Sequence, residues 1–389
     1  MKKRVYLDVA AAHPVRVGAR RAFMEALASY GNPSSTHAEG RSAKDILEDA
    51  RTRIARHAGA RADTVIFTSG ATEANALALH GRIKKLMSEG VAPRDMHLLY
   101  QPSAHASIRE NATLLASLGV RIEPLALRGG AFDIEGIRAQ IRPETALVSV
   151  EAVSSATGMR YDTRALRHVL DEERKGEETQ ILLHVDASQL PLLESFEWTR
   201  LGANTMSLDA QKVGGVRGSG VLIGATPALI APIIGGGSQE RGLRPGSEPS
   251  ALAVAFASAL DETKKERESF SKQALMIRSS FLEDIRRLLP EVIVHGGAHV
   301  ASNIITLSFP GRDTDYLCAL LDERGFAVST KSACEADSPN PSIAVFAETG
   351  DAEQASSTLR ISFDASLKLK DIQRFSNTLH ASMKVLAHE

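Results

Sequence analysis

The strongest constraint on this chain is an alternation that runs through its first two-thirds: short apolar runs, each followed by a segment of helical length. Val65–Thr68 (VIFT) reads as a buried strand, with helical spacing from Ala71 to about Leu86. His97–Gln101 (HLLYQ) is a second strand, followed by helical spacing from Ala104 to Leu118. Ala146–Val150 and Ile181–Val185 are two more, separated by helical periodicity over Thr163–Glu173. Thr205–Leu208 and Gly220–Ile223 complete the series. Short apolar runs without polar alternation suit strands covered on both faces, and helix-length connections make such strands parallel neighbours. The expected fold class is therefore α/β, with a large, mostly parallel sheet.

The pattern changes near residue 250. Ser250–Leu289 is one long helical stretch rich in Ala and charge. Asn303–Phe309, Phe326–Ser329 and Leu359–Phe363 read as strands, Asp313–Arg324 as a helix, and a last helix starts near Leu367. A chain of 389 residues with 43% hydrophobic content suits one large domain and a smaller one. We expect a large α/β domain over 16–258 and a small α+β domain made of 1–15 with 259–389. The polar stretch Glu335–Ser357, carrying Pro339, Pro341 and Gly350, is expected to be a mobile loop.

Charge and cysteine usage narrow the class. There are 46 Lys+Arg against 47 Asp+Glu, so no overall basic surplus points to a nucleic-acid binder. Cys318 and Cys334, two thiols in a long chain, form no disulfide framework and no metal-ligand cluster, so no metal is expected. Free thiols fit a reducing cytoplasm. The basic start MKKR is followed by no apolar segment of a secretory signal, and no run approaches a membrane span.

Six segments carry candidate chemistry. In VIFTSGATEAN (65–75) a strand runs through Ser-Gly into a helix whose first N–H groups and Thr72 hydroxyl either bind an anion or are simply capped. Asp186, in HVDASQ, leaves the sheet where ligand groups of open α/β folds lie; a loop cap is the alternative. Lys212 lies four residues past an apolar strand and before Gly214-Gly215, where glycine lets the backbone approach a bulky cofactor; a solvated turn lysine is the alternative. GGGSQERGLRPGS (235–247) offers glycines, Arg241, Arg244 and Ser247 to an anion, or is a surface connection. Cys334 follows STKSA at a strand exit, where Lys331 favours a thiolate, whereas Cys318 sits inside an apolar helical run and suits a buried, inert thiol. Arg360, in an otherwise apolar strand, needs either a substrate carboxylate or a structural ion pair.

Taken in order, these segments resemble the cysteine desulfurases, a branch of the class-V aminotransferase-like, fold-type I pyridoxal-phosphate enzymes. YLDVAAAHPV, GNPSSTHAEGRSAK, FTSGATEAN, HVDASQ, GGGSQERGLRPGS, SAC and LRISF carry the resemblance over nearly the whole chain. It implies pyridoxal 5'-phosphate as cofactor, L-cysteine as substrate and a homodimer. Lys212 matches the lysine that bonds the cofactor and moves protons. His105 matches the histidine stacked on the ring, Asp186 the carboxylate on its nitrogen, and Gln189 the amide facing its phenolic oxygen. Ala71 and Thr72 match the phosphate cup, joined at the cofactor by Asp209 and Gln211. Ser247 matches a hydroxyl reaching the neighbouring subunit's phosphate. Asn32, Ser155 and Arg360 match substrate-binding positions. Cys334 matches the persulfide-forming nucleophile, on a spacing like that of the long-loop members that pass sulfur to scaffold or carrier proteins for iron–sulfur assembly or tRNA sulfuration.

Three departures surround the expected cofactor. Ser154-Ser155 stand where the family often has two Asn. Gln211 replaces a titratable cation. Asp209 replaces a phosphate donor by an acid, which should repel a dianion unless it points away or pairs with an arginine. Selenocysteine lyase, aminotransferase and a low-activity scaffold paralogue are the alternative activities.

Overall fold

The computed structural model describes residues 4–175, 180–297, 299–330 and 341–386. Its centre is a seven-stranded sheet in the order Val65–Thr68, Gly220–Ile223, Thr205–Asp209, Leu182–Asp186, Thr145–Glu151, His97–Tyr100, Arg121–Pro124. Within this sheet only Gly220–Ile223 runs antiparallel to its neighbours. Apart from the partly exposed edge strand Arg121–Pro124, the strands are buried on both faces, as their apolar runs require. Helices Ala71–Ser88 and Ala106–Ser117 pack a core of Ile66, Leu77, Leu98 and Leu147 on one face; helices Ala38–Ala58 and Thr163–Glu173 pack Phe67, Val148, Leu183 and Met206 on the other. The chain is thus the expected α/β protein with a mostly parallel sheet.

A second, antiparallel sheet holds Ile293–Val294, Ile304–Ser308 and Thr358–Ser362. The N-terminal arm joins this region: Val5–Tyr6 pairs with Phe326–Ala327, and Leu7 O accepts from Ser362 N–H at 2.8 Å. Helix Ser250–Leu288, about 58 Å long at 1.5 Å per residue, serves both cores. Its first half buries Phe256 and Leu260 under the large sheet. Its second half buries Phe270, Ile277 and Phe281 against Phe363 and Phe375.

The expected loop over 335–357 is corrected where it is described. Residues 335–340 lie outside the described residues, but Ile343–Thr349 and Ala352–Ser356 are short helices. Gly350, one of the residues that suggested a loop, punctuates them. Ser342 Oγ accepts from Val345 N–H, Gly350 at φ 73° closes the first helix, and Asp351 caps the second through Glu353 and Gln354 N–H.

Glu348 docks the first of these helices, accepting from Thr157 Oγ1 at 2.8 Å and Tyr161 OH at 2.9 Å. Burial pushes its carboxyl up to about 7 from an ordinary 4.5. A raised carboxyl stabilises fully below its unfolded value and loses that contribution as pH rises through its folded one. Taking the protein from about pH 5 to about pH 8 should therefore lower amide-exchange protection in Ile343–Thr349. Glu348→Gln should flatten that dependence; an unchanged pH profile in the variant would assign it to another group.

Candidate active site

A cleft of about 240 Å³ opens at the C-terminal ends of the parallel strands. Each strand leaves the sheet there and delivers side chains, the usual consequence of open parallel topology. Val65–Thr68 delivers Ala71 and Thr72, His97–Tyr100 delivers His105, and Thr145–Glu151 delivers Glu151 and Ser155. Leu182–Asp186 supplies Asp186 and Gln189, and Thr205–Asp209 supplies Asp209, Gln211 and Lys212.

Lys212 sits in a single 3-10 turn, Ala210–Val213, and its Nζ donates to Ala10 O and Ala11 O, each at 2.8 Å. Gln189 Nε2 donates to Ala10 O as well, at 3.0 Å. The N-terminal arm thus forms one wall of the cleft. Gly214 has φ 81°, and a Cβ there would lie 2.8 Å from His13 Nδ1 and 2.9 Å from Pro14 O. Its lack of a side chain makes room for the chain's own arm, not for a bulky ligand, which corrects the sequence-based reading of Gly214-Gly215.

Asp186 ends its strand buried, with Oδ2 accepting from Asn75 Nδ2 at 2.9 Å and Oδ1 from Ser188 N–H at 2.9 Å. Asn75 is fully buried and is the hub of the polar network. Its amide also donates to Ser107 Oγ at 2.8 Å, and its Oδ1 faces His184 Nε2 at 2.9 Å. Burial lowers His184 to about 4, so a neutral ring donating from Nε2 satisfies that contact. His105 caps helix Ala106–Ser117, its Nδ1 accepting from Ser107 N–H at 3.1 Å. Burial also lowers its pKa, keeping the ring neutral near pH 7.

Sequence reasoning missed Asn75, Glu151 and the Ala10–Ala11 carbonyls. Glu151 pairs in register with Asp186 on the adjacent strand, so two acids share one face at the cleft floor. Burial, then the charge of Asp186, push the Glu151 carboxyl well above its ordinary value. An acid ending the apolar run ALVSVE was the available signal.

Arg360 lies one layer behind the cleft. Its guanidinium donates to Asp8 Oδ1 at 2.7 Å and to Ser155 O at 2.8 Å, so Ser155 connects it to the cleft wall. Asn32 and Ser247 are exposed and outside this chain's cleft. The 235–247 segment packs on the edge strand: Arg244 pairs with Glu73 at 2.9 Å, and Glu240 with Arg51 at 2.7 Å. Cys334 and Lys331 lie outside the described residues. Burial pushes the Cys318 thiol up to about 12, so it stays protonated and unreactive near neutral pH.

Asp209 neither points away from the helix start nor relies on an arginine. Its Oδ2 accepts from Ala71 N–H at 3.0 Å and its Oδ1 from Gln211 N–H at 3.0 Å.

Comparison with known proteins places this geometry. The Aminotransferase class-V family matches residues 5–375. The chain is 30% identical over 345 residues to the cysteine desulfurase IscS of Dictyoglomus turgidum, covering 88% of this chain and 85% of that protein. A solved NifS-like protein superposes with a TM-score of 0.86 at 26% identity, covering 98% of this chain and 100% of the other. SspA, solved in complex with cysteine, gives 0.77 at 26% identity over 92% of this chain and 98% of its own. With a lysine, a buried strand-end aspartate and a helix N-terminus meeting in one cleft, the chain belongs to the class-V aminotransferase family, among its cysteine desulfurases and NifS-like proteins.

Proposed function

We propose that this chain is a pyridoxal-phosphate-dependent cysteine desulfurase, converting L-cysteine to L-alanine with a persulfide left on Cys334. The observation that carries the reading is the convergence of Lys212, Asp186, His105 and the Ala71–Thr72 helix start on one cleft in a family that uses this cofactor. The residues fit the cofactor's ring end: an amine for its carbonyl, a buried carboxylate for its ring nitrogen and a neutral imidazole beside them. When bound, the cofactor supplies an electron sink for the bonds of the substrate's Cα.

The chain's own groups do the rest. Asp186, fixed by Asn75 and Ser188, would hold a proton on the ring nitrogen of the bound group. His105 would cover that ring, and Gln189 would meet its phenolic oxygen. Lys212, released from the Ala10 and Ala11 carbonyls, takes the proton from the substrate's Cα and returns one as alanine forms. Arg360, giving up Asp8, and Ser155 bind the substrate carboxylate; Asn32, exposed and outside this chain's cleft, is not brought to them. Cys334 thiolate attacks the substrate sulfur: an S–S bond forms, the Cβ–S bond breaks with its electron pair left on Cβ, Cβ takes up the proton shed by the new persulfide, and Cα recovers the proton that Lys212 removed. The persulfide then passes to an acceptor protein of iron–sulfur assembly or tRNA sulfuration. We place the cofactor domain at 16–258 and the small domain at 1–15 with 259–389, the two cores served by helix Ser250–Leu288 supporting that division. The exposed position of Ser247 supports a homodimer in which it reaches the partner's site. A cytoplasmic location fits a chain with only two cysteines, too few for a disulfide framework.

Purified protein incubated with L-cysteine and the cofactor should form alanine and persulfide together. Cys334→Ala should lose the persulfide and cut sulfide release at least about 100-fold while keeping the cofactor's visible absorbance. Sulfide release at the wild-type rate in that variant would remove Cys334 as the acceptor and favour another class-V activity.

A further inference from the structure

We propose that Asp209 is a specificity-determining residue: it seats the protein's own carboxylate where the ligand's phosphate would bind, and so shifts selection from the phosphorylated pyridine aldehyde toward its unphosphorylated form. This rests on the reading that the cleft takes a pyridoxal-type ligand.

Three observations carry it. The first is placement. Ala71 N–H is the first of the unpaired donors of an 18-residue helix, the strongest anion-binding feature of the cleft, and Asp209 Oδ2 already accepts it at 3.0 Å. The second is fixation. Asp209 Oδ1 accepts Gln211 N–H at 3.0 Å, so two backbone donors orient one carboxylate at the mouth of the Lys212 turn. Its Oδ2 also lies 3.1 Å from the position of a Cβ on Gly70, so the carboxylate fills the space over the helix start. The third is charge. Ser69 N–H, next to this start, is held at 2.6 Å by Glu73 Oε2, and Glu73 is itself paired with Arg244 at 2.9 Å. The nearby arginine is therefore committed to an acid in the first turn of this helix, while Lys212 is turned to the Ala10 and Ala11 carbonyls. A phosphate dianion would enter beside Asp209 with these donors and cations engaged elsewhere. A neutral hydroxymethyl tail can donate to Asp209 with no like-charge repulsion.

The test is equilibrium binding of pyridoxal 5'-phosphate and of pyridoxal to the full chain and to Asp209→Asn, by calorimetry and by visible absorbance. The amide keeps the side chain's shape and removes its charge. Asp209→Asn should tighten the phosphorylated ligand by at least about 10-fold and change pyridoxal by less than about 3-fold. Asp209→Ala, with circular dichroism as the fold control, should tighten the phosphorylated ligand in the same direction. Equal change for both ligands, or no tightening of the phosphorylated one, overturns the role of Asp209 and leaves the proposed function standing. If neither protein binds either aldehyde, the pyridoxal reading of the cleft falls and this inference falls with it.

Discussion

Lys212→Ala is expected to erase the visible absorbance of the bound cofactor and to lower L-cysteine turnover by at least about 10³-fold, since it removes both the covalent attachment and the base at Cα. The size of the effect follows from the position of the amine. Nζ is the basic group held inside the cleft by two backbone carbonyls, one of which it shares with Gln189, in a lining that also holds Asp186 and His105. The fold should survive the change. Lys212 lies in a short turn whose caps are Asp209 and Gly214, and both caps remain in the variant. The comparison also separates an enzyme from a scaffold that kept the architecture. A scaffold would show no absorbance change on adding the cofactor to the wild-type protein, and the substitution would then alter nothing.

The fold was legible where local pattern decides it. Thr163–Glu173 has the same bounds in sequence and structure, and Ser250–Leu288 differs from its expected range by one residue, because apolar periodicity is a local signal. The strand-to-helix passage at Thr68–Ala71 was legible for the same reason, as were the strand ends carrying Asp186 and Lys212. What escaped notice depends on contacts across the chain. Asn75 matters because helix Ala71–Ser88 brings it between Asp186, Ser107 and His184, and nothing near residue 75 says so. Glu151 and Asp186 become neighbours only through strand register. The Ala10 and Ala11 carbonyls carry no residue-type signature at all. The partner of Arg360, Asp8, lies 352 positions away. For Asp209 the sign of the charge could be read in advance; its seat on Ala71 N–H could not.

Glu240→Ala is expected to cost about 3–5 kcal/mol, the usual result of stripping the partner from a fully buried charge. Arg51 is 2% exposed and Glu240 4%, and two hydrogen bonds of 2.7 Å join them. Arg51 also donates to Val65 O at 2.7 Å and lies 4.8 Å over the Phe67 ring, while Glu240 accepts Phe67 N–H at 2.8 Å. The pair therefore clamps helix Ala38–Ala58, the 235–247 segment and the edge strand that leads into Ala71 and Thr72. Glu240 and Arg241 hold φ of 46° and 59°, a left-handed backbone that is unfavourable for side-chain-bearing residues and is offset here by the ion pair. With alanine at 240 the strain remains, Arg51 loses its buried counter-charge and keeps only the solvent-edge Glu48, 3.1 Å from its Nε, and Phe67 N–H loses its acceptor. The denaturation midpoint should fall accordingly, and helix-start residues should exchange faster. Arg51→Met with Glu240→Leu removes both buried charges together and should recover most of the loss, because what destabilises is the buried edge of the guanidinium left without its carboxylate and not the absence of a salt bridge. A single variant that loses less than about 1 kcal/mol would show that water reaches Arg51 and that the edge strand is held by its apolar face alone.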